Sequence, residues 1–450
     1  MSKPATLSTA QNELFQPRLS TILNPRHPLL TLEKSISWEA LESDLNLTFS
    51  PDKAGQPPKP VRLIVGLLML QHMEGLSDEM VVSKWVENPY WQAFCGFDHL
   101  QWRLPLDPSS LTRWRKKMGE EGLEKVLKAT LQTALTMGVA KEEDFEKVIA
   151  DTTVMEANIA YPTDGRLLQE AREKLVSLAK KEGLCLRQTY VRVGAALLRK
   201  VQGYAHAKQF KRMNQGLKKL KTYLGRVVRD IERKATDPQR QGSFAELLAL
   251  SKRLLEQTKT SKNKVYSLHA PHVYCVAKGK ARRPYEFGAK VSLVVSHKQG
   301  LALGALALER PAYDGHTLEG ALEQACRISG RPVSQAFVDR GYKGHGVTKS
   351  DVYISGQRRG MTKLLRKALK RRSAIEPHIG HMKAEGKLGR NFLKGILGTK
   401  LNALLVSIGH NLRLLLAFLK SLFVLFLGWV IAQKSPFLDH KNKQKLFQVI

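Results

Sequence analysis

Two short runs of apolar and β-branched residues each close on an aspartate: VIAD, ending at Asp151, and QAFVD, ending at Asp339. Runs of this length, bounded by polar residues, read as buried strands rather than helices. A carboxylate at the end of a buried strand is held in place by the sheet, so the pair constrains both the fold and what it presents. Residues 291–295 (VSLVV) and 301–308 (LALGALAL), joined by SHKQG, predict a β-hairpin, and DVYIS from Asp351 predicts a fifth strand. HTLEGALEQACRIS lies between the third and fourth strands with helical periodicity, and MTKLLRKALKRRSAIEPHIGHMK follows the fifth. Strand, hairpin, helix, strand, strand and helix in that order predict an α/β fold with a mixed sheet.

The 450 residues are enough for two or three domains. Residues 1–35 read as a flexible N-terminal arm, and 36–140 as a helical N-terminal domain. In that domain DPSSLTRWRKK, from Asp107, opens a helix whose first turns carry Arg113, Arg115, Lys116 and Lys117. Such a basic helix suits a DNA groove, although a solvated helix face has the same composition. The catalytic-type α/β domain spans 141–415 and is interrupted after its first strand by a basic helical insertion over 165–264. The insertion holds 25 Lys or Arg against 8 Asp or Glu. Leu217, Leu220, Leu224, Val227 and Ile231 repeat at helical spacing there, and ATDPQRQGSF breaks the pattern. A helical hairpin follows, serving DNA contact, self-association, or both.

Residues 416–450 read as an apolar C-terminal helix and tail. The apolar stretch from Leu412 to Ala432 approaches membrane-spanning length, but Arg413 and Lys420 interrupt it. Lys420 would sit near mid-bilayer, so a buried or partner-facing helix is the better reading. The N-terminus has no apolar run of the secretory kind. Cys95, Cys185, Cys275 and Cys326 are scattered without a CxxC pair, which argues against a zinc ribbon and fits a reducing cytoplasm.

Charge then narrows the partner. Lys and Arg total 73 against 40 Asp and Glu, a formal net charge of +33. A surplus of that size repels itself in a compact monomer and is relieved by a polyanion whose counterions are released on binding. Double-stranded DNA is the favoured partner. In so basic a chain, Asp151, Asp339 and Glu376, the last in RRSAIEPHIGHMK, form a set of hard oxygen ligands suited to divalent metal held against a phosphate. On a continuous helix Arg372, Glu376 and Lys383 share one face, an acid between two bases. Singly, each acid has an ordinary reading as a loop cap or a salt-bridge partner. His378 and His381, three apart, have the spacing to clasp a transition metal, but no further ligand clusters with them.

In these motifs the chain resembles the DDE transposases of bacterial insertion sequences, in the group that includes insertion sequences four and five. The resemblance rests on DTTV from Asp151 with NIAYPTD after it, on DRGYKG from Asp339, on ERPAYDGHTL, and on the helix motif Tyr, two residues, Arg, three residues, Glu, six residues, Lys. Arg372, Glu376 and Lys383 match that motif, whereas Leu369 stands where the tyrosine belongs. The likeness covers roughly residues 40 to 415. It implies a ribonuclease H-like, mixed five-stranded sheet flanked by helices. It implies a metal-dependent transposase that cuts the element's terminal inverted repeats and joins the freed 3′-hydroxyls to target DNA. Asp151, Asp339 and Glu376 would bind two Mg²⁺ ions, for which Mn²⁺ substitutes. Arg372 and Lys383 would hold phosphate, with Arg340 and Lys343 as further DNA contacts. Asp314 and His316 would order the loop after the third strand, with a helix cap as the plainer role for Asp314. A homodimer in the synaptic complex and a bacterial, nucleoid-associated, cytoplasmic location follow. The alternatives are a catalytically inactive or domesticated DNA-binding derivative and a hydrolytic nuclease of the same fold.

Overall fold

The structure, a computed structural model, describes residues 17–46, 59–278 and 284–434. Residues 1–16 of the predicted arm and the tail from 435 to 450 lie outside the described residues. The chain divides into two units, Met1–Met155 with Lys290–Leu308 and Ala312–Ile450, and Glu156–Ala289 with Glu309–Pro311.

Seven strands form one sheet: β1 Lys147–Ala157, β2 Tyr274–Ala277, β3 Tyr285–Ser296, β4 Ala302–Ala307, β5 Gln335–Val338, β6 Asp351–Ile354 and β7 Arg390–Asn391. Through the first unit the order is β4, β3, β1, β5, β6. β3 and β4 are antiparallel, from Val291 opposite Ala307 onward, with an irregularity at Val294 and Val295. β5 runs parallel to both β1 and β6. The mixed α/β sheet and its hairpin are those the sequence predicts. β2 and β7 are not among the strands the sequence predicts.

Side chains alternate across the strands. Val148, Ala150, Val294, Ala336 and Val338 face the largest core, shared with Leu318, Leu322 and Ala325 of the helix Asp314–Ser329. Ile149, Val295 and Phe337 face the other way and pack with Ile375. The helices Val61–Glu74, Asp78–Glu87, Pro89–Phe94 and Ser109–Thr136 fill the same large core. Ser77 caps the second by accepting from the Met80 amide, and Asn88 caps the third by accepting from Tyr90 and Trp91. Helix also occupies part of the stretch read as an arm. Leu19–Ile22 and Pro28–Ser35 are helical, and Leu29 and Leu32 enter the core, which gives these segments the apolar burial that a loose arm lacks.

The helix Gly395–Lys434 runs through the segment boundary that composition places at 416. Leu401, Leu404, Leu405, Ile408, Leu412 and Leu415 repeat at three-and-four spacing and are buried in the main core. Gly409 meets the backbone of His72, where a side chain would collide with the His72 carbonyl, so the two helices approach closely. Gly395–Ser421 is long and apolar enough to cross a membrane by length and composition, yet 72% of its most apolar stretch is buried inside the protein. It is a core helix of the first unit.

In the second unit four helices, Asp164–Lys181, Val191–His206, Phe210–Lys234 and Pro238–Glu256, surround their own core of Leu168, Leu175, Leu224, Val227, Ile231 and Phe244. The predicted hairpin corresponds to the last two, and Pro238 starts the fourth at a position where its missing N–H costs nothing.

Candidate functional site

The last printed register pair between β1 and β5 is Ile149 opposite Phe337. Asp151 and Asp339 each stand two residues further on and so lie toward the same face; Asp151 is inside β1, which the sequence expectation ended at this residue but which continues to Ala157, whereas Asp339 leaves the carboxyl end of the neighbouring parallel strand β5. Ligands of open α/β sheets collect at such ends. Ile375 is fully buried against Ile149, Val295 and Phe337, and this contact carries the next residue, Glu376, to that face. The β3–β4 turn secures the approach: His297 Nε2 lies 2.9 Å from the Ala368 carbonyl, and Arg371 donates to the carbonyls of His297 and Lys298.

The segment after β6 is not the single helix that its composition predicts. Lys363–Lys370 and Ile375–Ala384 are α-helical, and Arg371–Ala374 between them is a tighter 3₁₀ turn. Arg372 sits in that turn. Its guanidinium lies 4.0 Å from Asp151 Oδ2 and donates to Glu376 Oε1 at 3.4 Å. One arginine therefore links the first strand's acid to the helix acid. Lys383 is half-buried in the last turn of the same helix, two turns from Glu376.

Asp151 Oδ1 accepts the Thr152 amide at 2.8 Å. Burial pushes the Asp151 carboxyl up to about 6; the Thr152 amide and Arg372 oppose the shift, and the nearby charges of Asp339 and Asp314 reinforce it. Asp314 is a member of this neighbourhood that sequence reasoning underrates. It makes no side-chain cap on its helix; instead its Oδ1 accepts from Thr152 Oγ at 2.8 Å and from Lys290 Nζ at 2.9 Å. Tyr342, from DRGYKG, is buried, and burial together with the charges of Asp151 and Asp314 holds its phenol above the usual range. The only sequence signal for this group was the adjacency of Thr152 to Asp151 and of Asp314 to a helix start, neither of which reveals a contact 162 residues apart.

Other predicted residues separate. Arg340 is exposed and lies against Gly356, in the turn after β6, and Lys343 is exposed. Arg113 is exposed on its helix and donates to Ser110. Arg115 is a correction: it is only 2% exposed and is ion-paired with Asp78, so its guanidinium serves helix packing and is closed to a phosphate. Leu369, at the tyrosine position of the helix motif, packs against the apolar cluster of Ile149, Phe337 and Ile375. His378 stacks edge-on against His410, whereas His381 bonds to Glu385, so the two histidines do not converge on one ion. Among the described residues, no group of three or more His, Cys, Asp or Glu side chains stands ready to hold a metal. Glu376 is 64% exposed and engaged with Arg372. The available donors are hard carboxylate oxygens, which suit Mg²⁺ far better than zinc.

Residues 17–117, the N-terminal helical stretch, match the family model described as Transposase domain (DUF772). The chain is also similar to a protein of Rhizobium meliloti described as uncharacterized protein ORF8 in the nfe locus. The two are 45% identical over 208 residues, which is 46% of this chain and 100% of that relative. No solved structure matches the chain.

Proposed function

We propose, from the transposase-domain match of residues 17–117, that the chain is a DDE transposase of the insertion-sequence four and five group, cutting element ends and joining them to target DNA. The observation that carries this reading is the meeting of Asp151, Arg372 and Glu376, with Asp339 two residues past the β1–β5 register. The order β4, β3, β1, β5, β6, with β3 and β4 antiparallel and β5 parallel to both β1 and β6, supports a ribonuclease H-like catalytic domain.

In this reading Asp151, Asp339 and Glu376 would hold two Mg²⁺ ions, for which Mn²⁺ would substitute. When bound, the metal supplies Lewis acidity at the scissile phosphate. To join the aspartates Glu376 would have to leave Arg372, whose planar guanidinium would then be free to pair with two phosphate oxygens. Lys383, Arg340 and Lys343 add positive charge along the DNA path, and Arg113 adds it on the N-terminal helix. Water attacks the phosphorus at the element end and the 3′-oxygen leaves as a hydroxyl. That hydroxyl then attacks a target phosphodiester, displacing its 3′-oxygen. Two ends must be joined, so a homodimer in a synaptic complex suits the reaction, at the nucleoid in the bacterial cytoplasm.

The test is cleavage of DNA carrying the element's terminal inverted repeats in Mg²⁺. Asp339→Ala and Glu376→Gln should abolish it while DNA affinity is kept; retained cleavage in Asp339→Ala defeats the site. One observation favours a second reading, a catalytically inactive transposase-derived DNA-binding protein: Glu376 is paired with Arg372 and no metal group is preformed among the described residues. Excision of a marked element in cells separates the two.

A further inference from the structure

The second unit contains a cavity of about 760 Å³ between the segment before Val191–His206 and one face of Phe210–Lys234. Arg187, Tyr190, Arg226, Arg229 and Arg233 line it together with two carboxylates, Asp230 and Glu232, the latter paired with Lys252 at 2.5 Å. Arg226, Arg229 and Arg233 recur at three-and-four spacing, so one helix face supplies three guanidinium groups. Asp230 is committed internally. It accepts the Arg187 amide at 2.7 Å and pairs with Arg233 and Lys234 at 3.2 and 3.3 Å. Among the described residues, no carboxylate pairs with Arg187, Arg226 or Arg229.

Tyr190 forms the opposite wall and is held in an unusual way. Its φ is 54°, left-handed for a residue with a bulky side chain, and such strain gathers at ligand clamps. Its ring stacks on Tyr223 at 4.5 Å and 8°. Its hydroxyl accepts from Arg226 Nη1 at 3.1 Å, which orients that guanidinium. The helix bundle thus uses a strained residue and an aromatic stack to fix one arginine beside two others that have no protein anion to neutralise them.

We propose that this cavity is a binding site for the phosphodiester backbone of DNA, with Arg187, Arg226 and Arg229 contacting phosphate and Tyr190 as the positioning residue for Arg226. The inference rests on the DNA-processing reading above but not on the acidic site. Arg-to-phosphate geometry is bidentate, and a cavity with several forks admits a kinked or protruding stretch of backbone better than a flat face does.

The test uses the full chain, a fluorescently labelled duplex and anisotropy across a KCl series. Arg226→Gln with Arg229→Gln should lower affinity about tenfold and reduce the salt slope by roughly 2, close to one unit per phosphate contact. Arg199→Gln with Lys200→Gln removes the same charge from exposed positions outside the cavity and should change affinity less than about threefold, the long-range share of a lost charge. Tyr190→Phe keeps the stack but frees Arg226, and should lie between the two. Equal effects of the two pairs, or none from either, overturn the proposal, as does a Tyr190→Phe protein with unchanged affinity for the positioning role. Calorimetry with pyrophosphate alone separates the other source of the same chemistry: tight pyrophosphate binding lost in the cavity pair, with duplex affinity unchanged, assigns the site to a free phosphate compound and overturns the DNA assignment. A wild-type chain that binds no duplex at all would instead defeat the DNA reading itself.

Discussion

Asp151 and Arg115 behave oppositely although both are charged groups out of full contact with water. Asp151 is half-buried near other carboxylates, and its carboxyl is raised to about 6. The folded state therefore carries an unfavourable charge above the ordinary aspartate range. The sign follows: the penalty is absent near pH 4, grows as pH rises to about 6, and is constant beyond. Asp151→Asn should stabilise the metal-free protein by about 2 kcal/mol at pH 7.5 and by almost nothing at pH 4, in urea unfolding at both pH values, while cleavage is lost. Added Mg²⁺ should raise the wild-type midpoint and leave that of Asp151→Asn unmoved. Arg115 is the reverse case, a buried cation matched by Asp78. Arg115→Ala leaves that carboxylate without its partner and should cost about 3 kcal/mol. Arg113→Ala should leave stability unchanged and weaken DNA binding alone. Composition marks both arginines as basic residues of one helix; only the neighbouring helix decides which of them faces the core.

Among the elements, Gly300 in the β3–β4 turn joins the sheet to the site. Its φ is 74°, and an added Cβ would fall within 2.1 Å of His378 Nε2. His378 is on the helix that carries Glu376. Gly300→Ala should therefore destabilise the protein by more than 1 kcal/mol and reduce cleavage beyond what lost stability explains, because the helix must shift. Thermal unfolding and cleavage measured together check both parts; unchanged cleavage would show that the turn does not set the position of Glu376. The 3₁₀ turn at Arg371–Ala374 belongs to the same scale. An apolar and basic sequence there reads as continuous helix, and the interruption comes from tertiary bonds of Arg371 to the turn before β4. The predicted strands were legible because apolar and β-branched runs bounded by polar residues have few other uses. β2 and β7 exist only as partners of longer strands and carry no signal of their own.

At the scale of the whole molecule, two histidines couple the first unit's stability to pH. Burial depresses His72 and His410 to about 3, and each is hydrogen-bonded to a backbone carbonyl, Leu68 and Gly300 respectively. Both are neutral in the fold, whereas the unfolded chain protonates them below about 6.5. They carry no titration penalty above that pH, and stability falls as pH drops from 6.5 toward 3, by up to about 1.4 kcal/mol per pH unit for each. His410→Gln, which keeps a donor to Gly300, should flatten the decline by about half in urea midpoints between pH 6.5 and 4.5. An unaltered slope would place the acid sensitivity elsewhere.

Local pattern by itself determined the α/β class, the hairpin, the amphipathic stripe of the second unit and the strand-end position of Asp339, because period and residue type report how each segment must bury its apolar side; that β1 runs on past Asp151 to Ala157 it did not. Tertiary structure alone decided that Arg372 bridges Asp151 and Glu376, that Asp314 bonds to Thr152, that Arg115 is spent on Asp78 and that the long apolar helix lies in the core. Those are pairings between residues far apart in the chain, and a charge or an apolar face does not encode which distant group will meet it.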